Sequence, residues 1–91
     1  MDSSPAAIWS RLSALPLGYF TARYDNRRYG VSRSVHAGGK SMKLFAEELG
    51  GAGRISLNIY RPPSGDPLLK PCEMPIDTVT AFVLGAEVES G

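Results

Sequence analysis

The chain has 91 residues, with ten basic and nine acidic side chains and a formal net charge of +1. Its length fits one domain, 1–91, and near neutrality argues against a chain held open by its own charge. One cysteine and one histidine exclude an internal disulfide, a multi-cysteine zinc site and most catalytic triads.

Ser4 followed by Pro5 predicts a helix N-cap with proline at the first helical position. Ile8, Leu12 and Leu15 recur at helical spacing with Trp9 beside them, and Pro16 stops the run. A helix this short is unstable alone and must dock. Residues 17–35 then read as a hairpin. Leu17 to Tyr24 is rich in strand formers, and Asp25-Asn26 tolerates the positive φ of a two-residue turn. In the return strand Tyr29, Val31 and Val35 share one face and Arg28, Gly30, Ser32 and Ser34 the other. Arg33 breaks the apolar face, which predicts a packed stem with a solvated head. His36 to Gly39 is a loop.

Residues 41–49 fit two patterns. Met42, Leu44 and Ala46 alternate as in a strand, whereas Met42, Phe45 and Leu49 fit a helical face. Helix-forming composition favours the second, and position between hairpin-like segments favours the strand, which we adopt. Gly50 to Gly53 is a turn. Ile55, Leu57 and Ile59 alternate with Ser56, Asn58 and Tyr60 in the clearest strand of the chain. After the loop 62–67, Leu68 to Met74 is a further strand, which Pro71 confines to an edge. Pro75 opens a second helix with Ile76, Val79, Phe82 and Val83 on its apolar face, and Gly85 can end it. Residues 1–3 and 87–91 are expected to fray. The expected fold is α+β: a small, mainly antiparallel sheet of about five strands, with the N-terminal and C-terminal helices on one face.

The near-zero charge hides an asymmetry: residues 21–43 sum to +5 and residues 44–91 to −4. This marks either a binding surface or two complementary halves of one fold, and the second is the simpler. The basic hairpin 22–43 places Arg23, Arg27, Arg28 and Arg33 among Tyr19, Phe20, Tyr24 and Tyr29, a composition that could meet phosphates and bases. The sequence pI of about 7.9 lies below the level above about 9 usual for nucleic-acid binders. Gly38, Gly39 and Lys40 could aim backbone N–H groups at an anion. Gly39-Lys40-Ser41 matches the end of a phosphate-binding loop, but Ser34 stands where that motif opens with glycine. A flexible turn with a solvated lysine explains the same residues. Cys72, two residues from Lys70 along a strand, is a candidate thiol nucleophile, against the plainer role of a buried structural cysteine. Ser56 and Asn58 form a polar strand face beside Tyr60 that could hold a ligand or simply meet water.

The segments Arg28-Tyr29-Gly30-Val31, Gly38 to Gly51, Ile55 to Tyr60 and Leu69 to Pro75 together resemble a group of small bacterial proteins, over about residues 17–85. Some of that group carry a peptide methionine sulfoxide reductase label. The resemblance implies a small bacterial cytoplasmic protein. The Gly-Cys-Phe-Trp motif of the A-type reductases and the zinc-binding Cys-x-x-Cys pairs of the B-type are both absent here, so no catalytic residue carries over.

The leading expectation is a non-catalytic binding or interaction module that recognises a protein or small molecule and needs no cofactor. The alternatives are a thiol-dependent enzyme acting through Cys72, and anion or nucleic-acid binding by the basic hairpin. No apolar stretch approaches the ~20 residues of a membrane span, and Asp2 with no basic n-region predicts a chain without an ordinary secretory signal. A weak homodimer would follow if a sheet edge is left open.

Overall fold

The computed structural model describes residues 3–63 and 65–89. The expected fraying of residues 1, 2, 90 and 91 lies outside them. In chain order the elements are α1 (Pro5–Ser13), β1 (Gly18–Tyr24), β2 (Arg27–His36), a 3-10 turn (Ala37–Gly39), β3 (Ser41–Glu48), β4 (Arg54–Tyr60), β5 (Leu68–Pro71), α2 (Ile76–Gly85) and β6 (Glu87–Val88). The strands form one six-stranded sheet in the order β5-β4-β3-β2-β1-β6, antiparallel throughout. The fold is thus α+β.

Local chemistry explains the boundaries. The Ser4 side chain accepts a hydrogen bond from the Ala7 N–H at 3.2 Å, and Pro5 opens α1. Asp25 and Asn26 turn β1 into β2 with φ of 53° and 62°, the left-handed pair that a tight hairpin requires. Residues 41–48 are a strand. Register decides the ambiguity: Met42, Leu44 and Ala46 lie opposite Val35, Arg33 and Val31 on one side and Ile59, Leu57 and Ile55 on the other. All three are buried, whereas Leu49 is exposed.

One face of the sheet is the core. Ala22, Tyr29, Val31, Leu44, Leu57 and Ile59 pack against Ile8 and Leu12 of α1 and Val79, Phe82 and Val83 of α2. Phe82 meets Tyr24 and Tyr29 edge-on, with ring centroids at 5.2 and 5.0 Å. Gly85 lets Tyr24 approach, because a Cβ there would lie 3.0 Å from the Tyr24 ring. Arg11 ties the two helices: its Nε donates to the Val83 carbonyl at 3.2 Å and its Nη2 to the Ala86 carbonyl at 2.7 Å. Since α2 has no basic residue in its own last turn, Arg11 supplies the positive charge that its C-terminus favours.

Four expectations need correction, the first being the strand expected over Leu68 to Met74, which ends at Pro71. Arg33 is buried, head included: its Nε donates to the Pro16 carbonyl at 3.3 Å and its Nη1 contacts the Met42 sulfur at 3.2 Å. The chain entering β1 therefore covers the guanidinium that was expected in water. Glu87 and Val88 do not fray but add a sixth strand, and Glu89 follows it. Val88 lies opposite Ala22, the Glu89 N–H donates to the Thr21 carbonyl at 3.0 Å, and the Glu89 carboxylate receives Arg28 at 2.9 Å. Pro75 is the residue before α2 rather than its first, in an extended conformation with ψ of 144°.

At the opposite edge, β5 carries its own protection. The Cys72 N–H donates to the Ser56 carbonyl at 3.0 Å. In an antiparallel ladder the N–H of residue 71 would then point out of the sheet. Residue 71 is proline and has none, which blunts strand pairing along this edge.

Candidate functional site

The basic hairpin does not assemble into one site. Arg23 and Arg28 both reach Glu89, at 4.0 and 2.9 Å, and Arg27 reaches Glu48 at 3.6 Å. Arg33 is in the core. Half of the six basic residues of 21–43 are thus ion-paired within the fold. The Arg28 guanidinium bonded to Glu89 holds its carboxyl below the usual carboxylate range; partial burial opposes this, and the Thr21 hydroxyl and the charges of Arg28 and Arg23 add to it. The hairpin aromatics divide as well. Tyr29 is buried, Tyr24 and Phe20 pack on the core, and Tyr19 points to solvent on the other face.

Gly38, Gly39 and Lys40 occupy the turn between β2 and β3, where Ala37, Gly38 and Gly39 all have positive φ. This turn lies at the far end of β2 from Arg27 and Arg28, about 30 Å away at 3.3 Å per residue. Lys40 leads directly into strand β3, not into the helix that completes a phosphate-binding loop. His36, at the end of β2, is exposed and shares a hydrogen bond of 2.8 Å with the Ser34 hydroxyl.

Cys72 is partly exposed, so it is not the fully buried structural cysteine. It continues the register of β5 beside Ser56, and its sulfur accepts from Asn58 Nδ2 at 3.6 Å. Three strands and four residues of register separate it from His36, about 20 Å by standard sheet spacings. A Cys-His pair does not form. Among the described residues no group of three His, Cys, Asp or Glu side chains could hold a metal ion, and no helix is long and apolar enough to cross a membrane.

The fold does assemble a surface on the sheet face that the helices leave uncovered. Pairing across the strands sets its rows. Tyr19, Ser32, Phe45 and Ser56 form one row, which Cys72 extends. Ser34, Lys43, Asn58 and Lys70 form the next. His36, Ser41, Tyr60 and Leu68 form a third. Tyr19 is 66% exposed, Tyr60 40% and Leu68 50%. The hydroxyl end of Tyr19 lies over Gly30, where any Cβ would stand 2.5 Å from it. Glycine at position 30 therefore lets a tyrosine ring settle on the outer face. The sequence placed Ser56, Asn58 and Tyr60 on a polar face and Lys70 with Cys72. It missed that Tyr19, Lys43 and Phe45 share that surface. The signal was present in the alternation of 41–48, whose outward positions are Ser41, Lys43, Phe45 and Glu47.

A separate open hollow of about 330 Å³ lies at the β3–β4 turn, lined by Glu47, Glu48, Gly51, Ala52, Gly53 and Arg54. It contains neither Cys72 nor His36. Glu48 fills the space beside Gly51 and Gly53, which explains the absence of side chains there.

No family model, no curated protein and no solved structure matches this chain.

Proposed function

We propose that this protein is a non-catalytic binding module and that the uncovered sheet face is its binding surface. One observation carries the reading. Both helices cover the same side of the sheet, so the rows through Ser32–Phe45–Ser56 and Lys43–Asn58–Lys70 face solvent. Those rows mix aromatic, hydroxyl, amide and ammonium groups, the mixture that recognises ligands by contact area with a few directed hydrogen bonds. The resemblance to small bacterial proteins supports the bacterial cytoplasm as its setting.

A second reading, thiol chemistry at Cys72, is favoured by the exposure of that sulfur on the same face beside the Asn58 amide. Comparing wild type with Cys72→Ser separates the two. Ligand-observed NMR with a library of small soluble fragments should detect the same binders for both proteins. Neither should reduce methionine sulfoxide in the presence of a dithiol reductant. Turnover by wild type that Cys72→Ser abolishes would establish the enzyme reading instead.

A further inference from the structure

Resting on the binding-module reading, we infer that the uncovered sheet face takes single-stranded nucleic acid, with Tyr19, Phe45 and Tyr60 stacking on bases and Lys43 and Lys70 meeting phosphates. The hairpin arginines are not part of it: Arg23 and Arg28 project from the same face but at its other end, where both reach Glu89, while Arg27 reaches Glu48 and Arg33 is buried. Among the described residues neither Lys43 nor Lys70 makes an ion pair. The row that holds them, and the rows on either side of it, contain no acidic residue: Tyr19–Ser32–Phe45–Ser56, Ser34–Lys43–Asn58–Lys70 and His36–Ser41–Tyr60–Leu68. The protein's net charge of +1 therefore understates the local charge of this part of the surface. The ion-paired acidic side chains, Glu48 and Glu89, sit with their arginines toward the other end of the sheet, and Glu47, the outward acid of β3, lies one row beyond Phe45 opposite Arg54.

The aromatic side chains are placed to use that charge. Lys43 and Lys70 lie two strands apart, about 10 Å, with Asn58 between them. Phe45 follows Lys43 by two residues on the same face, and Tyr60 follows Asn58 likewise. Cations and rings thus interleave across three strands. An open antiparallel sheet backed by helices, with rings and cations on its free face, suits unpaired bases because every base offers a face to stack while the backbone meets the lysines. Duplex nucleic acid hides those faces. An acidic peptide would use the lysines but not require the rings.

Fluorescence anisotropy with a labelled twelve-nucleotide oligothymidine tests this, at low salt and then across a salt series. Wild type should bind, with log K falling against log salt at a slope of about −1.4 for two phosphates. Phe45→Ala and Tyr60→Ala should each weaken binding by about 5- to 150-fold. Lys43→Ala with Lys70→Ala should weaken it and flatten the slope toward zero. Arg27→Ala, at the far hairpin, should bind as wild type. Folding of each variant is checked by its amide NMR spectrum, and Lys43→Glu alone serves if the double variant is impaired. No binding by wild type at 100 μM protein, affinity unaltered in the lysine variants, or equal binding of a labelled polyglutamate peptide would each overturn the inference. If oligonucleotide binding fails while small fragments still bind this face, the ligand class falls and the binding module stands. If both fail, the module reading falls as well.

Discussion

Replacing Arg11 tests how the helical layer is held on the sheet. Its guanidinium donates to the Val83 and Ala86 carbonyls at 3.2 and 2.7 Å, 72 and 75 residues away in sequence. A hydrogen bond from a charged donor contributes about 1.5–3 kcal/mol. Arg11 is half-buried and water replaces part of what is lost, so the lower end applies to each bond. Arg11→Met keeps most of the apolar stem and removes both bonds, and should cost about 2–3 kcal/mol. Against a total of roughly 5–14 kcal/mol for a chain of this length, that is a large share. Urea denaturation followed by circular dichroism reads it directly. With a slope near 1 kcal/mol per molar, the midpoint should fall by about 2–3 M at unchanged slope. Arg11→Lys, which can satisfy one carbonyl at a time, should fall between the two proteins. Because β6 comes directly after Ala86, Arg11→Met should also speed exchange of the Glu89 amide. A midpoint shift below about 0.5 M would show that the two bonds contribute almost nothing, and that apolar burial alone seats the helices.

Other perturbations probe the same packing. Phe82→Ala removes the ring that Tyr24 and Tyr29 meet edge-on and should cost about 3–5 kcal/mol by chemical denaturation, leaving the protein barely folded. Gly53→Ala places a Cβ 2.7 Å from the Glu48 carboxylate and 3.3 Å from the hydroxyl of buried Tyr29. It should cost about 1–3 kcal/mol and weaken the Arg27–Glu48 pair, seen as a lowered urea midpoint. The pH dependence has a definite sign. The folded Glu89 carboxyl titrates below its ordinary value of 4.5, so its contribution is complete above that pH and is lost as pH falls through the lower folded value. The protection factor of the Glu89 amide, its exchange rate referred to that of an unfolded chain at the same pH, should therefore fall on acidification below about pH 4.5, and Glu89→Gln should remove that pH dependence.

Most of the fold was legible wherever one local rule acted alone. Ser4-Pro5 is a helix start in any context, and Asp25-Asn26 accepts the backbone that a tight hairpin imposes. The alternation of Ile55, Leu57 and Ile59 leaves one arrangement. Residues 41–49 were ambiguous because a short run of Met, Leu, Ala and Glu satisfies both periods. Only the two neighbouring strands, which bury Met42, Leu44 and Ala46 together, decide between them. The sixth strand was invisible because Glu87 and Val88 are two residues with no pattern, and the residue after them, Glu89, is held by Arg28 from 61 residues away. Arg33 was seen as an exception but not as a buried one, since the carbonyl that receives it belongs to the α1–β1 connection. The candidate surface was half legible for a related reason. Alternation shows which residues of one strand share a face, but register shows which residues of neighbouring strands stand beside them. Asn58 was assigned to a polar face from its own strand, and only pairing places Lys43 and Lys70 on either side of it.

If the helix-free face of the sheet is where this protein binds, protein-observed NMR will locate its ligands there. Amide shifts are recorded for the isotope-labelled chain with each fragment that binds. Perturbed residues should cluster at Ser32, Phe45, Ser56, Asn58 and Cys72. Perturbations confined to the hollow around Gly51 and Arg54, or to the helical side of the sheet, would contradict binding at this face.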